Sequence, residues 1–72
     1  MPFVTIRFIE GRSQQQKDEI ARRVNDALSE VLELPKNDIW IVFEESTARD
    51  WYVGGSTAAE LREKGLIATG KR

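Results

Sequence analysis

A chain of 72 residues that contains neither cysteine nor histidine has few ways of holding itself together. Domains this small bury only about 60% of the surface their unfolded chains expose, and they usually make up the deficit with disulfides, a structural metal or association. Disulfides are excluded outright, and so is every ordinary zinc, iron or copper site. Carboxylates alone can hold magnesium or calcium, but no EF-hand-like spacing is present. Association with further copies of itself is the remaining source of burial, so residues 1–72 are expected to form one small domain of an oligomer.

The same two absences narrow the chemistry. No Ser-His-Asp, Cys-His or metal-water mechanism can be built from these residues, which leaves carboxylates, Lys, Arg, Tyr or a chain terminus. Eleven Lys and Arg stand against twelve Asp and Glu, without the basic excess of a dominant nucleic-acid binder. Apolar runs of only a few residues make neither a membrane-spanning helix nor a secretory signal, so the expectation is a soluble cytoplasmic protein with no nucleic-acid or membrane partner.

Phe3 to Ile9 is rich in β-branched and aromatic residues and reads as a strand. Val4, Ile6 and Phe8 make one face core. The other face mixes Phe3 and Ile9 with Thr5 and Arg7, apolar enough at its ends to meet a partner. Ser13 with Gln16 forms a capping box that starts a helix. Ile20, Val24, Ala27, Leu28, Val31 and Leu32 then recur as one apolar stripe, and Pro35 ends the helix near Leu34. Asp18–Arg22 and Glu19–Arg23 are acid-first i,i+4 pairs on the opposite, charged face. Asp38 to Glu45 is nearly continuously apolar, the pattern of a strand covered on both faces as in a parallel β-α-β unit. Glu45 to Asp50 reads as a loop. Trp51-Tyr52-Val53 is extended up to Gly54-Gly55, and Thr57 with Glu60 caps a second, shorter helix that Gly65 closes. The tail from Leu66 to Arg72 is expected to be loose unless a neighbouring subunit holds it. The fold class is therefore α+β, in two layers, with a short C-terminal hairpin and helix after the β-α-β unit.

Pro2 and Arg12 carry the chemical interest. Initiator methionine is normally removed when the second residue is small, and removal here leaves a secondary amine on a rigid ring. Apolar walls and nearby arginines disfavour its charged form and pull its basicity toward neutrality, where it can act as a general base. The plain alternative is an incidental proline at a frayed start. Arg12 follows a glycine turn and precedes a helix N-cap, where a guanidinium can grip a carboxylate and the helix dipole favours an anion. Its plain alternative is a solvated loop residue.

Met1-Pro2-Phe3-Val4-Thr5-Ile6, then Ile9-Glu10-Gly11-Arg12-Ser13 and Gln16-Lys17, resemble the 4-oxalocrotonate tautomerase family. The similarity runs over about residues 2 to 62. It implies a β-α-β subunit assembled as a homohexamer, a trimer of dimers, that needs no cofactor or metal. It implies that Pro2 moves a proton between an enol and its ketone, as for 2-hydroxymuconate in aromatic degradation. Arg12 matches the family arginine that binds the distant carboxylate, and Trp51 falls where the family has an aromatic wall. Trp40, Phe8 and Ile9 are further candidates to line the pocket.

The chain departs from the family pattern at Trp40, which stands where the family carries a second active-site arginine. An indole donates one hydrogen bond and has no charge. Loss of such a donor commonly costs about 10²–10³ in rate, and Arg7 and Arg49 are the candidates to replace it. Val53 stands where related dehalogenases carry a water-activating glutamate, which disfavours that reaction. The reading is a cofactor-independent keto–enol tautomerase for a small carboxylated enol, either 2-hydroxymuconate-like or aryl pyruvate-like. The alternative is a non-catalytic oligomeric module that Trp40 has cost its turnover.

Overall fold

Strands β1 (Phe3–Ile9) and β2 (Trp40–Ser46) run parallel and in register, from Phe3 beside Trp40 to Ile9 beside Ser46. These and the features below come from a computed structural model that describes residues 1–68. Parallel neighbours need a long connection, and helix α1 (Gln14–Leu32) supplies it. The β-α-β order expected from the pattern is the one observed.

Helix α1 begins as its capping box requires. Ser13 Oγ accepts from the Gln16 N–H at 3.1 Å, and Gln16 Oε1 accepts from the Ser13 N–H at 3.0 Å. The helix stops two residues before the expected Leu34. Glu33 turns left-handed at φ 55°, and the Leu34 N–H donates to the Ser29 carbonyl at 3.1 Å. Of the two expected ion pairs on α1, Glu19–Arg23 forms at 2.6 Å. Asp18–Arg22 does not: Asp18 accepts from Gln14 instead, and Arg22 turns to Glu19 and Asp26.

Register decides what each sheet face meets. Val4, Ile6, Phe8, Ile41 and Phe43 share the face toward α1, with the Phe8 and Phe43 rings stacked at 5.6 Å. Lys17 reaches across from α1 to Glu45 at 2.8 Å, and Ala21 and Asn25 of the helix border a shared hollow with Ile39 and Ile41. Phe3, Thr5, Arg7, Trp40, Val42 and Glu44 share the other face. Within one protomer that face is open, with Phe3 65% and Trp40 56% exposed. The expectation that β2 is covered on both faces is therefore corrected for the single protomer. Its bounds differ too. Lys36–Asp38 is a 3₁₀ turn hung from the Pro35 carbonyl, so the strand starts at Trp40. It runs on to Ser46 because the Glu10 N–H donates to the Ser46 carbonyl at 2.8 Å.

The segment expected as a plain loop contains a second 3₁₀ turn, Ala48–Asp50. Beyond it, β3 (Tyr52–Val53) and β4 (Ser56–Thr57) pair antiparallel. Gly54 and Gly55, at φ 57° and 86°, make the tight turn between them, a conformation that suits glycine at both central positions. Helix α2 (Ala58–Glu63) follows with the expected Thr57/Glu60 capping box. The expected loose tail begins at Leu66, whose N–H still donates to the Leu61 carbonyl; residues 69–72 lie outside the described residues.

Few residues are fully covered. Among those described, only Ile39, Ala48 and Ala58 are buried. The radius of gyration is 15.1 Å, against about 11 Å for a compact domain of this length.

Candidate active site

Pro2 is held where β1 begins. Its carbonyl accepts from the Trp40 N–H at 3.1 Å, and the residue is half-buried. Met1 precedes it and is 79% exposed, so its loss uncovers the proline nitrogen and gives up little packing. Trp40 sits at the same end of the sheet, paired with Phe3 and open to solvent. Phe3 and Trp40 thus make that end aromatic on its open face.

Arg12 lies at the opposite end. Pro2 and Ile9 are separated by the whole of β1, about 23 Å at the rise of a strand. Gly11, at φ 123°, turns the chain there, and Arg12 falls between that turn and the Ser13 cap. With Gln16, Glu19, Ile20 and Arg23 it lines a hollow of about 350 Å³. The first cause that holds the Glu19 carboxyl below its ordinary value is its hydrogen bond from Arg23, followed by that from Arg22. Glu19 is thereby occupied with the α1 arginines. Among the described residues Arg12 has no ion-pair partner, so its charge is available to a ligand on the N-terminal side of α1.

Trp51 shares the Arg12 end. It is half-buried, and its carbonyl accepts from the Ala58 N–H at 2.7 Å. Together with Arg7, Ser46, Asp50 and Tyr52 it borders a second hollow, of about 250 Å³. Ile9, beside Ser46 in the sheet, leads into the same region. Phe8 does not line either hollow: its ring stacks on Phe43 on the face turned to α1. Arg7 is already paired with Glu44 at 2.6 Å. One protomer therefore brings Ile9, Arg12 and Trp51 to one end and Pro2 and Trp40 to the other.

Sequence reasoning missed Glu10. Its carboxylate accepts from the Ala48 N–H at 2.9 Å, and its carbonyl accepts from Arg62 Nη2 at 2.7 Å. Both partners lie more than thirty residues away in the chain, and no local pattern announces them.

The family model described as "Tautomerase enzyme" matches residues 2–60 of this chain. The chain belongs to the tautomerase family. Among curated relatives of this tautomerase-family protein, one from Listeria innocua named a probable tautomerase is 43% identical over 61 residues, covering 85% of this chain and all of the relative. A solved heterohexameric 4-oxalocrotonate tautomerase from Chloroflexus aurantiacus superposes with a TM-score of 0.78 at 35% identity, covering 86% of this chain and all of that one. TomN, a 4-oxalocrotonate tautomerase homologue of the tomaymycin biosynthetic pathway, gives a TM-score of 0.81 at 31% identity, over 86% and 95% of the two chains. The resemblance read from the Pro2 and Glu10-Gly11-Arg12-Ser13 segments is thus borne out at the level of family and fold, and tautomerase membership supports an isomerase.

Proposed function

We propose that this tautomerase-family protein is a cofactor-independent keto–enol tautomerase for a small, flat, carboxylated enol. With Met1 removed, the Pro2 nitrogen takes the proton from the enol hydroxyl. The double bonds shift along the conjugated skeleton, and the protonated proline returns a proton to carbon, so the ketone forms with no net gain or loss of atoms. Arg12 binds the carboxylate and draws electron density toward it, while Trp51 and Ile9 supply the flat apolar wall.

The observation that carries this reading is the placement of Arg12, without an ion-pair partner among the described residues, beside a helix N-terminus, at the far end of β1 from Pro2, whose carbonyl accepts from Trp40. Pro2 and Ile9 lie about 23 Å apart along β1, and Arg12 follows past the Ile9 end, a separation too long for one small substrate to bridge. A second protomer must bring its Arg12, Ile9 and Trp51 to the first protomer's Pro2. We therefore place the site at a subunit boundary of a homo-oligomer, with the hexamer as the assembly that the family resemblance favours.

The test is kinetics on protein whose mass proves that Met1 is gone, using 2-hydroxymuconate and an aryl pyruvate enol. Pro2→Ala is expected to lower kcat by about 10²–10⁴, the usual worth of a positioned base. Arg12→Ala is expected to act mainly by raising KM. Turnover indifferent to both substitutions would overturn the reading. So would native protein that retains Met1, since an amide nitrogen has no useful basicity. The non-catalytic alternative is favoured by one feature, the neutral indole at Trp40. Assembled protein that turns over no enol in the panel would establish it.

A further inference from the structure

We propose that Glu10 is a positioning residue that fixes the Arg12 guanidinium and the Trp51 wall as one rigid unit. This rests on the reading of Arg12 as the carboxylate-binding residue. All three polar groups of Glu10 are engaged with the second half of the chain. Its N–H donates to the Ser46 carbonyl at 2.8 Å. Its carboxylate takes the Ala48 N–H at 2.9 Å, and its carbonyl takes Arg62 Nη2 at 2.7 Å. The Arg62 Nε is buried without a hydrogen-bond partner among the described residues, so the Nη2 bond to the Glu10 carbonyl is the side-chain hydrogen bond described for Arg62.

These bonds matter because of where Arg12 sits. One residue after Glu10 comes the turn at Gly11, and one residue after Arg12 comes the doubly bonded Ser13 cap. The Arg12 backbone is thus clamped on both sides over a span too short to drift. The Ala48 N–H, in turn, belongs to the 3₁₀ turn that leads directly into Trp51. Removing the Glu10 carboxylate orphans that N–H in a residue 5% exposed and loosens the turn against the arginine loop. A carboxylate held on Arg12 then no longer sets the substrate plane against Trp51, and displacements near 1 Å are enough to matter in such sites.

The experiment is a double-mutant cycle on the Met1-free assembled enzyme. Glu10→Ala is expected to raise KM by roughly tenfold while kcat changes less than about threefold. Glu10→Gln, whose amide oxygen still accepts from Ala48, is expected to recover most of that loss. The pH profile of kcat should stay unchanged, because Pro2 is untouched. The combined E10A/R12A protein should be no worse than R12A, because neighbours acting through one group are non-additive. An additive penalty, or a fall in kcat at constant KM, would overturn the positioning role. If Glu10→Ala does not assemble, Glu10→Asp, whose shorter arm withdraws from Ala48, is read by the same criteria. An R12A protein with normal KM would overturn the carboxylate role and this assignment together; a raised KM in R12A with additivity overturns this assignment alone.

Discussion

An indole at position 40 offers a substrate one neutral N–H donor, where a guanidinium would offer five donors in a rigid fork and a full charge. The backbone of Trp40 is bonded to Pro2, and its ring stands open beside Phe3. That end of the protomer therefore presents aromatic surface, and of the two arginines considered as replacements Arg7 is held by Glu44, while Arg49 lies in the 3₁₀ turn before Trp51, exposed and without an ion-pair partner among the described residues. On these grounds the enzyme should favour an enol whose second end is apolar, such as an aryl pyruvate, over one with a carboxylate at each end. Trp40→Arg is expected to move the ratio of kcat/KM toward the dicarboxylate by about 10²-fold, the usual scale for one preorganised charged donor. A ratio unmoved by the substitution, measured on both substrates with the same preparation, would remove Trp40 from the specificity argument.

At the scale of elements, the end of α1 holds the clearest local strain. Glu33 adopts φ 55°, a conformation that costs a residue with a side chain roughly 1–2 kcal/mol and glycine almost nothing. Glycine is also the residue that most often ends helices in this way. Glu33→Gly is expected to stabilise the fold by about 1 kcal/mol once the extra flexibility of the unfolded chain is counted, seen as a raised midpoint in denaturant unfolding with unchanged slope. A lowered midpoint would mean that the Glu33 side chain does something in the assembly that the protomer does not display. The contrast between this end and the other end of α1 shows what sequence can and cannot reveal. Both capping boxes were legible because donor and acceptor lie three residues apart, within reach of local pattern. The parallel pairing was legible because an apolar second strand after a helix has few other solutions. Left-handed Glu33 was not, because the position lacks the glycine that usually signals such an end, and neither was the bond from Glu10 to the Ala48–Asp50 turn, which joins residues far apart in the chain. Asp18–Arg22 failed for a related reason: spacing allows several partners, and Arg22 took Glu19 and Asp26. For the candidate site, the sequence offered the residues to consider but not their grouping into two opposite ends, and Phe8 was drawn into stacking with Phe43.

The whole molecule is an open shape in search of cover. Its extents of 44 × 24 × 16 Å and radius of 15.1 Å exceed those of a compact chain of this length. The open sheet face carries Phe3, Trp40 and Val42 in one patch. Water meets that patch in the protomer, and burying it is worth about 25 cal/mol per Å², so association supplies the stability that three buried residues cannot. In the function proposed above, the same event would bring the two halves of the site together and make folding, assembly and catalysis one linked equilibrium. Val42 is the place to test this, since it lies in the middle of the patch and away from both Pro2 and Arg12. Val42→Glu would force a carboxylate into the covered face beside Glu44. The substitution is expected to shift the protein to protomers at micromolar concentration, to make its melting temperature depend on concentration, and to abolish turnover while Pro2 and Arg12 remain intact. Sedimentation velocity and kinetics over a dilution series read these effects together. Activity that survives in a species shown to be a single protomer would break the linkage, because no conformation of one β1 strand can bring its own two ends to the same substrate.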